Sequence, residues 1–215
     1  MLILKKAILT SFVLLSYIGN TSAQGENSSK YFDGLYFGVS IGSQNIFGGA
    51  YIDDLDLLAQ KNGFVLEFYP GFRKQIFDDR MMIGFELQFG FTDGGLTTND
   101  PRYEWEVSYE NNFQSGYGLS AGVVLGAKKN TLVYTYGKLT NRSFNISFTE
   151  DTGFTHHQED GQRFLRYGLS IERQIREKLN VSLIIGGVYV DFGNLVTSQE
   201  VNDALDVNLA LTYQF

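Results

Sequence analysis

The chain ends on "DALDVNLALTYQF", Asp203 to Phe215. Leu205, Val207, Leu209, Leu211, Tyr213 and Phe215 alternate there with Asp206, Asn208, Ala210, Thr212 and Gln214. A period of two puts every apolar side chain on one face of a β-strand and every polar or small one on the other. The fold turns on which of these faces meets water.

Seven earlier segments share the period. "LYFGVSIGS" sets Leu35, Phe37, Val39 and Ile41 against Tyr36, Gly38, Ser40 and Gly42, and "FVLEFYPGFRK" sets Phe64, Leu66, Phe68 and Phe72 against Glu67, Tyr69, Gly71 and Arg73. "MMIGFELQFGFT" opposes Ile83, Phe85, Leu87, Phe89 and Phe91 to Gly84, Glu86, Gln88, Gly90 and Thr92. "FQSGYGLSAGVVLG" and "FLRYGLSIER" behave alike, the latter with Arg166, Gly168, Ser170 and Glu172 on its polar face. In "TLVYTYGKLT" Lys138 sits mid-segment, where a lipid-facing lysine costs roughly 2–4 kcal/mol. Tyr134, Tyr136 and Lys138 are therefore read as inward. "LNVSLIIGGVYVDF" is apolar on both faces, through Ile184, Val188 and Val190 on the second. Pro70 lies inside the second segment and is read as a bulge, because a closed barrel has no edge on which a proline can sit.

The connections alternate in length. Long loops are read at 46–62, 94–112 and 146–161, a medium one at 193–203, and short turns at "QIFDDR", "AKKN" and "QIREK". Outer-membrane barrels have this asymmetry, with short periplasmic turns and long external loops. The first three long segments are acidic, whereas the short turns carry Lys128, Lys129, Arg176 and Lys178.

Bulk properties agree. A chain of 215 residues with 43% hydrophobic residues shows no later apolar run near the roughly 20 residues of a spanning helix. Barrels escape that test, since only alternate residues face lipid. A net charge of −7 without a basic stripe argues against nucleic acid. There is no Cys and there are only two His, so thiol and Cys-metal chemistry are excluded. Residues 1–23 are read as a signal peptide: Lys5 and Lys6, an apolar stretch from Ala7 to Ile18, and Ser22–Ala23 before Gln24. Residues 24–34 form a short polar lead and 35–215 the barrel.

A soluble barrel could use the same alternation with its apolar face inward. The contents of the faces decide against it. One face is almost purely Leu, Val, Ile, Phe, Tyr and Ala; the other is rich in Gly and Ser and carries Glu67, Arg73, Glu86, Lys138, Arg166 and Glu172. Three acids and three bases on one face suit a paired lumen. The expected fold is an all-β, eight-stranded, antiparallel, up-and-down transmembrane barrel. Aromatics at strand ends (Phe113, Tyr189, Phe192, Tyr213, Phe215) fit interfacial girdles.

The chain resembles the opacity-type, porin-like family of small outer-membrane barrels, which share the architecture of the OmpA transmembrane domain. The resemblance rests on "GLYFGVSIG", "NTLVYTYGKL", "DGQRFLRYGLSIERQIREKLNVSL", "YVDFGN" and the terminal "LTYQF", in that order. It implies residence in the outer membrane, recognition of the terminal Tyr213 and Phe215 by the outer-membrane assembly machinery, and an envelope or surface-contact role. The family often carries charges where this chain has Ile184, Gly186 and Val188, so a conducting pore is not inherited with the likeness.

The six luminal charges suggest a salt-bridged plug, with a narrow porin as the alternative. Tyr103, Trp105 and Tyr109 in "RYEWEVSY" form a candidate surface contact. His156 and His157 in "FTHHQED" read as solvated residues rather than metal ligands, and no cofactor is implied. The acidic loops could meet lipopolysaccharide phosphates through divalent cations. No Ser stands at a recognisable spacing from the His pair, so no catalytic role is expected. The surface partner is not named by any motif.

Overall fold

The computed structural model describes residues 31–52, 55–92, 96–100, 105–149, 153, 155–190 and 205–215. The segment read as a signal peptide lies outside them, as do Tyr103 and Phe192.

The described residues form nine strands: β1 (Gly34–Ile52), β2 (Leu55–Ile76), β3 (Met81–Thr92), β4 (Leu96–Asp100), β5 (Trp105–Leu125), β6 (Thr131–Thr149), β7 (Thr155–Arg176), β8 (Leu179–Val190) and β9 (Leu205–Gln214). Every pairing is antiparallel, and β9 returns to pair with β1. Because β3 also pairs with β5, the ring closes through eight strands, β1-β2-β3-β5-β6-β7-β8-β9. The short β4 pairs with β5 at Leu96↔Tyr109 to Asp100↔Trp105, prolonging that hairpin. Closure leaves the ring no edge to recruit another chain.

Alternation sorts the side chains as the terminal stretch implies. On β9, Asp206, Asn208, Ala210, Thr212 and Gln214 are buried while Leu205, Val207, Leu209, Leu211 and Tyr213 are exposed. The same holds around the ring, where Leu119 is 67% exposed, Leu169 60% and Leu209 58%. A soluble barrel would show the reverse. Apolar side chains outside and charges inside make this a transmembrane β-barrel of the outer-membrane type.

Two local expectations are corrected. Pro70 makes no bulge: it pairs in register with Phe37 on β1. On its other side the β2–β3 ladder is interrupted between Phe68↔Phe89 and Gly71↔Glu86, with two residues skipped on each strand. The missing N–H is accommodated by that gap, so no extra residue is needed. Register shifts occur instead between Asn111 and Phe113 and between Gln174 and Arg176. The three segments read as long loops are largely strand, and the medium one at 193–203 lies outside the described residues. Ser43↔Phe64 continues unbroken to Ile52↔Leu55, and Asn141↔Arg163 to Thr149↔Thr155. Polar residues pair in a two-stranded ribbon as readily as apolar ones when both faces meet water, and there the alternation that marks a strand is lost.

The longest strands, β2 and β7, have 22 residues. At about 3.3 Å per residue and a ~45° tilt they rise roughly 50 Å, about twice an apolar band of ~25 Å. About half of each therefore stands outside the bilayer, on the side opposite the turns at 77–80, 126–130 and 177–178.

Candidate functional site: the filled lumen

Narrow barrels are filled by inward side chains that alternate large and small. Here the rule is carried by direct cross-strand pairs. Tyr36 opposes Gly71 and Tyr69 opposes Gly38 across β1 and β2. Arg73 opposes Gly84, Glu86 opposes Gly118, Lys138 opposes Gly118, and Tyr134 opposes Gly122. Tyr136 opposes Gly168. The glycines act as sockets: a Cβ on Gly38 would stand 2.0 Å from the Tyr69 ring, and one on Gly71 2.4 Å from that of Tyr36.

All six sequence-derived charges point into this lumen and are at most 5% exposed. Arg73 spans it to Glu172 at 2.8 Å. Lys138 pairs with Glu86, which also accepts a hydrogen bond from the Tyr36 hydroxyl at 2.8 Å. Arg166 joins Glu67 and, through Nε, Asp206 at 3.0 Å. Glu67 Oε1 further accepts from Gln88 at 2.5 Å and Gln114 at 2.7 Å. The Ser40 hydroxyl donates to Glu67 Oε2 at 3.3 Å.

Aromatic faces hold the cations where carboxylates do not reach. The Arg73 guanidinium lies 4.0 Å from the Tyr36 ring centre and 5.4 Å from that of Tyr134. Lys138 Nζ lies 4.9 Å from Tyr136 and 5.4 Å from Tyr69. Desolvated contacts of this kind contribute ~2 kcal/mol.

Two further charges, which the sequence pattern does not single out, belong to the set. Arg142 and Asp206 are each at most 1% exposed, giving four acids and four bases among the described residues. Arg142 donates to Gln114 Oε1 at 3.1 Å and lies 4.6 Å from the Phe164 ring. Both share the parity of residues assigned inward, Asp206 with Asn208 and Arg142 with Lys138. Arg142 escapes sequence reasoning because the fifth segment is bounded at Thr140. Asp206 escapes it because the period of the last strand draws attention to Leu and Tyr rather than to charge.

Apolar side chains cluster at the end of the bore that carries the short turns. Phe32, just before β1, is fully buried with Met82, Val124 and Leu132. Its N–H donates to Gln75 Oε1 at 3.0 Å, and Asp33 Oδ1 accepts from the Gln75 N–H at 2.9 Å. Gly34, with φ +112°, turns the chain from this cap into β1. Ile184 and Val188 are inward and buried, so the β8 wall is apolar there as the sequence implies, while Asn180 and Ser182 nearer the turn are inward, buried and polar.

The other candidates lie at the ends. Trp105 and Tyr109 stand on the β4–β5 ribbon, opposite Asp100 and Leu96. His156 and His157 pair with Phe148 and Ser147 on the β6–β7 ribbon, so they lie on strand rather than in a loop. Among the described residues no group of three metal-ligating side chains occurs. Tyr213 and Phe215 face outward with ring centres 5.2 Å apart, and the Phe215 N–H donates to Leu35 O at 3.0 Å.

No known protein-family profile matches the chain, and no curated protein does. Solved structures similar to it include Neisserial surface protein A, at 10% identity over 84% of this chain and 96% of that one, with a TM-score of 0.41. Another is Ail, the attachment invasion locus protein of Yersinia pestis, in complex with the heparin analogue sucrose octasulfate, at 16% identity over 85% and 99% and a TM-score of 0.40. A third is a major outer membrane protein from Thermus thermophilus, at 15% identity over 84% and 99% and a TM-score of 0.48.

Proposed function

We propose that this chain is a non-conducting outer-membrane barrel whose long acidic hairpins form a surface for envelope or cell-surface contact, with no catalytic role. The observation that carries this reading is the lumen itself: four acids, four bases and a layer of tyrosines occupy the bore, and Phe32 caps one mouth. A buried charge left without its partner is costly, so the network resists being opened by a passing ion. The working surface is then what stands outside the membrane.

That surface is acidic. The segments 46–62, 93–112, 143–163 and 191–204 hold fifteen acidic residues against three Lys or Arg. Such ribbons repel polyanions such as sulfated sugars and suit cationic partners. Lipopolysaccharide phosphates would be met only through bridging divalent cations. Tyr103, Trp105 and Tyr109 supply aromatic contact area within the same acidic surface.

Single-channel recording in a planar bilayer tests the reading. The wild-type chain is expected to give no steady conductance; a persistent open level would instead establish a narrow porin. Loss of cell-surface adhesion on replacing Trp105 and Tyr109 by Ala, with the barrel still folded, would place contact on the β4–β5 ribbon.

A further inference from the structure

The outer wall of the barrel is not evenly covered. Two rows of outward residues cross β2, β3, β5 and β6: Phe72, Phe85, Leu119 and Gly137, and beside them Lys74, Ile83, Ala121 and Thr135. The bulky members stand on β2 and β3 with Leu119, and the small ones on β5 and β6. The result is a hollow of about 610 Å³ in the membrane-facing surface, floored by Ala121, Thr135 and Gly137. Gly137 differs from the luminal glycines: a Cβ there would meet nothing within 4 Å. No packing constraint accounts for its lack of a side chain, and an occupant of the hollow would.

We propose that this hollow binds one acyl chain of an anionic glycerophospholipid from the periplasmic leaflet, with the phosphate held by the rim cations below it. The depth fits, because Ile83 and Lys74 lie within a few residues of the turn at 77–80. Charge fits as well. Lys74 is half exposed beside Asp33, and Arg80 and Lys128 are exposed in the turns beneath the hollow. Lys129 is already held by Asp78 O at 2.7 Å and lies 3.9 Å from Asp79. Counting Asp33, Asp78 and Asp79 against Lys74, Arg80, Lys128 and Lys129, the rim carries a net charge of +1. A second copy of the chain is a poorer occupant: a two-fold contact would set hollow against hollow and bring both sets of cations together.

Native mass spectrometry of the chain purified in detergent, with phosphatidylglycerol and phosphatidylcholine added at equal mole fraction, tests this. One phosphatidylglycerol should be retained at least tenfold over phosphatidylcholine. Gly137→Leu should lower that retention at least tenfold, and Lys74→Gln with Arg80→Gln and Lys128→Gln should bring the two lipids to parity. Heat-dependent gel migration verifies that each variant is folded, and Thr135→Leu serves in place of Gly137→Leu should the latter not fold. Equal retention of both lipids by the wild type, or retention unchanged when the hollow is filled, overturns the proposal. So does a lipid-free dimer that Gly137→Leu abolishes, which would give the hollow to a second copy.

Discussion

Replacing Glu172 by Gln removes one end of the bridge that crosses the lumen from β7 to β2. Arg73 then remains fully buried, and its Nη1, 2.8 Å from the Glu172 carboxylate in the wild type, keeps at most a neutral amide oxygen and loses the charge that balances it. Among the described residues its Nε and Nη2 find no hydrogen-bond acceptor, so the tyrosine faces are its main remaining support. Breaking a buried pair costs ~3–5 kcal/mol. The cation–π contacts persist in the variant, so we expect the lower end, about 3 kcal/mol, or roughly a hundredfold in the folding equilibrium. With a urea dependence of about 2–3 kcal/mol per molar, the unfolding midpoint should fall by roughly 1–1.5 M. Arg73→Met with Glu172→Gln removes both charges and should recover most of the loss, giving, with the two single variants, a coupling energy of about 2 kcal/mol or more. Urea titration of the barrel in lipid vesicles, followed by fluorescence and gel migration, measures all four corners of the cycle. Additivity within ~0.5 kcal/mol would show that Arg73 and Glu172 do not sense one another and would refute the plug as a paired network.

The glycine sockets make a sharper steric prediction. Gly38→Ala drives a methyl group into the Tyr69 ring and should destabilise by ~1–3 kcal/mol, whereas Gly137→Ala, which meets open space, should change stability by less than ~0.5 kcal/mol; equal effects in urea titrations would contradict the packing. Deleting Phe215 should leave equilibrium stability within ~1 kcal/mol, since its ring is 69% exposed, but should slow insertion into the outer membrane in pulse-chase experiments. Normal insertion kinetics of the truncated chain would remove the terminal aromatic from the role of assembly signal.

What the sequence discloses and what it hides divide along a physical line. Inside the bilayer the two faces of each strand meet opposite environments, so the period of two is imposed on composition, and Glu67, Glu86, Lys138 and Glu172 can be assigned inward from their neighbours alone. Outside the bilayer both faces of a hairpin meet water and the constraint lapses. The ladder from Ser43↔Phe64 to Ile52↔Leu55 therefore reads as a loop although its backbone pairing is unbroken. Arg142 lies at that frontier, which is why its parity with Lys138 is the only signal the sequence offers.

The pairings across the bore need something further. Direct neighbours such as Tyr36 and Gly71 follow from hairpin register, and register is fixed once the turn is known. Arg73 and Glu172, by contrast, are separated by 99 residues and several strands, and meet only because the ring closes. Closure also explains Phe32: a phenylalanine in a polar lead has no strand period to betray it, yet the apolar end of a filled bore at Met82, Val124 and Leu132 must be shielded from water. The chain supplies that shield from the residues immediately before its first strand. Phe32 thus covers the apolar end of the bore, and on the non-conducting reading proposed above the charge network needs to resist entry only from the other mouth.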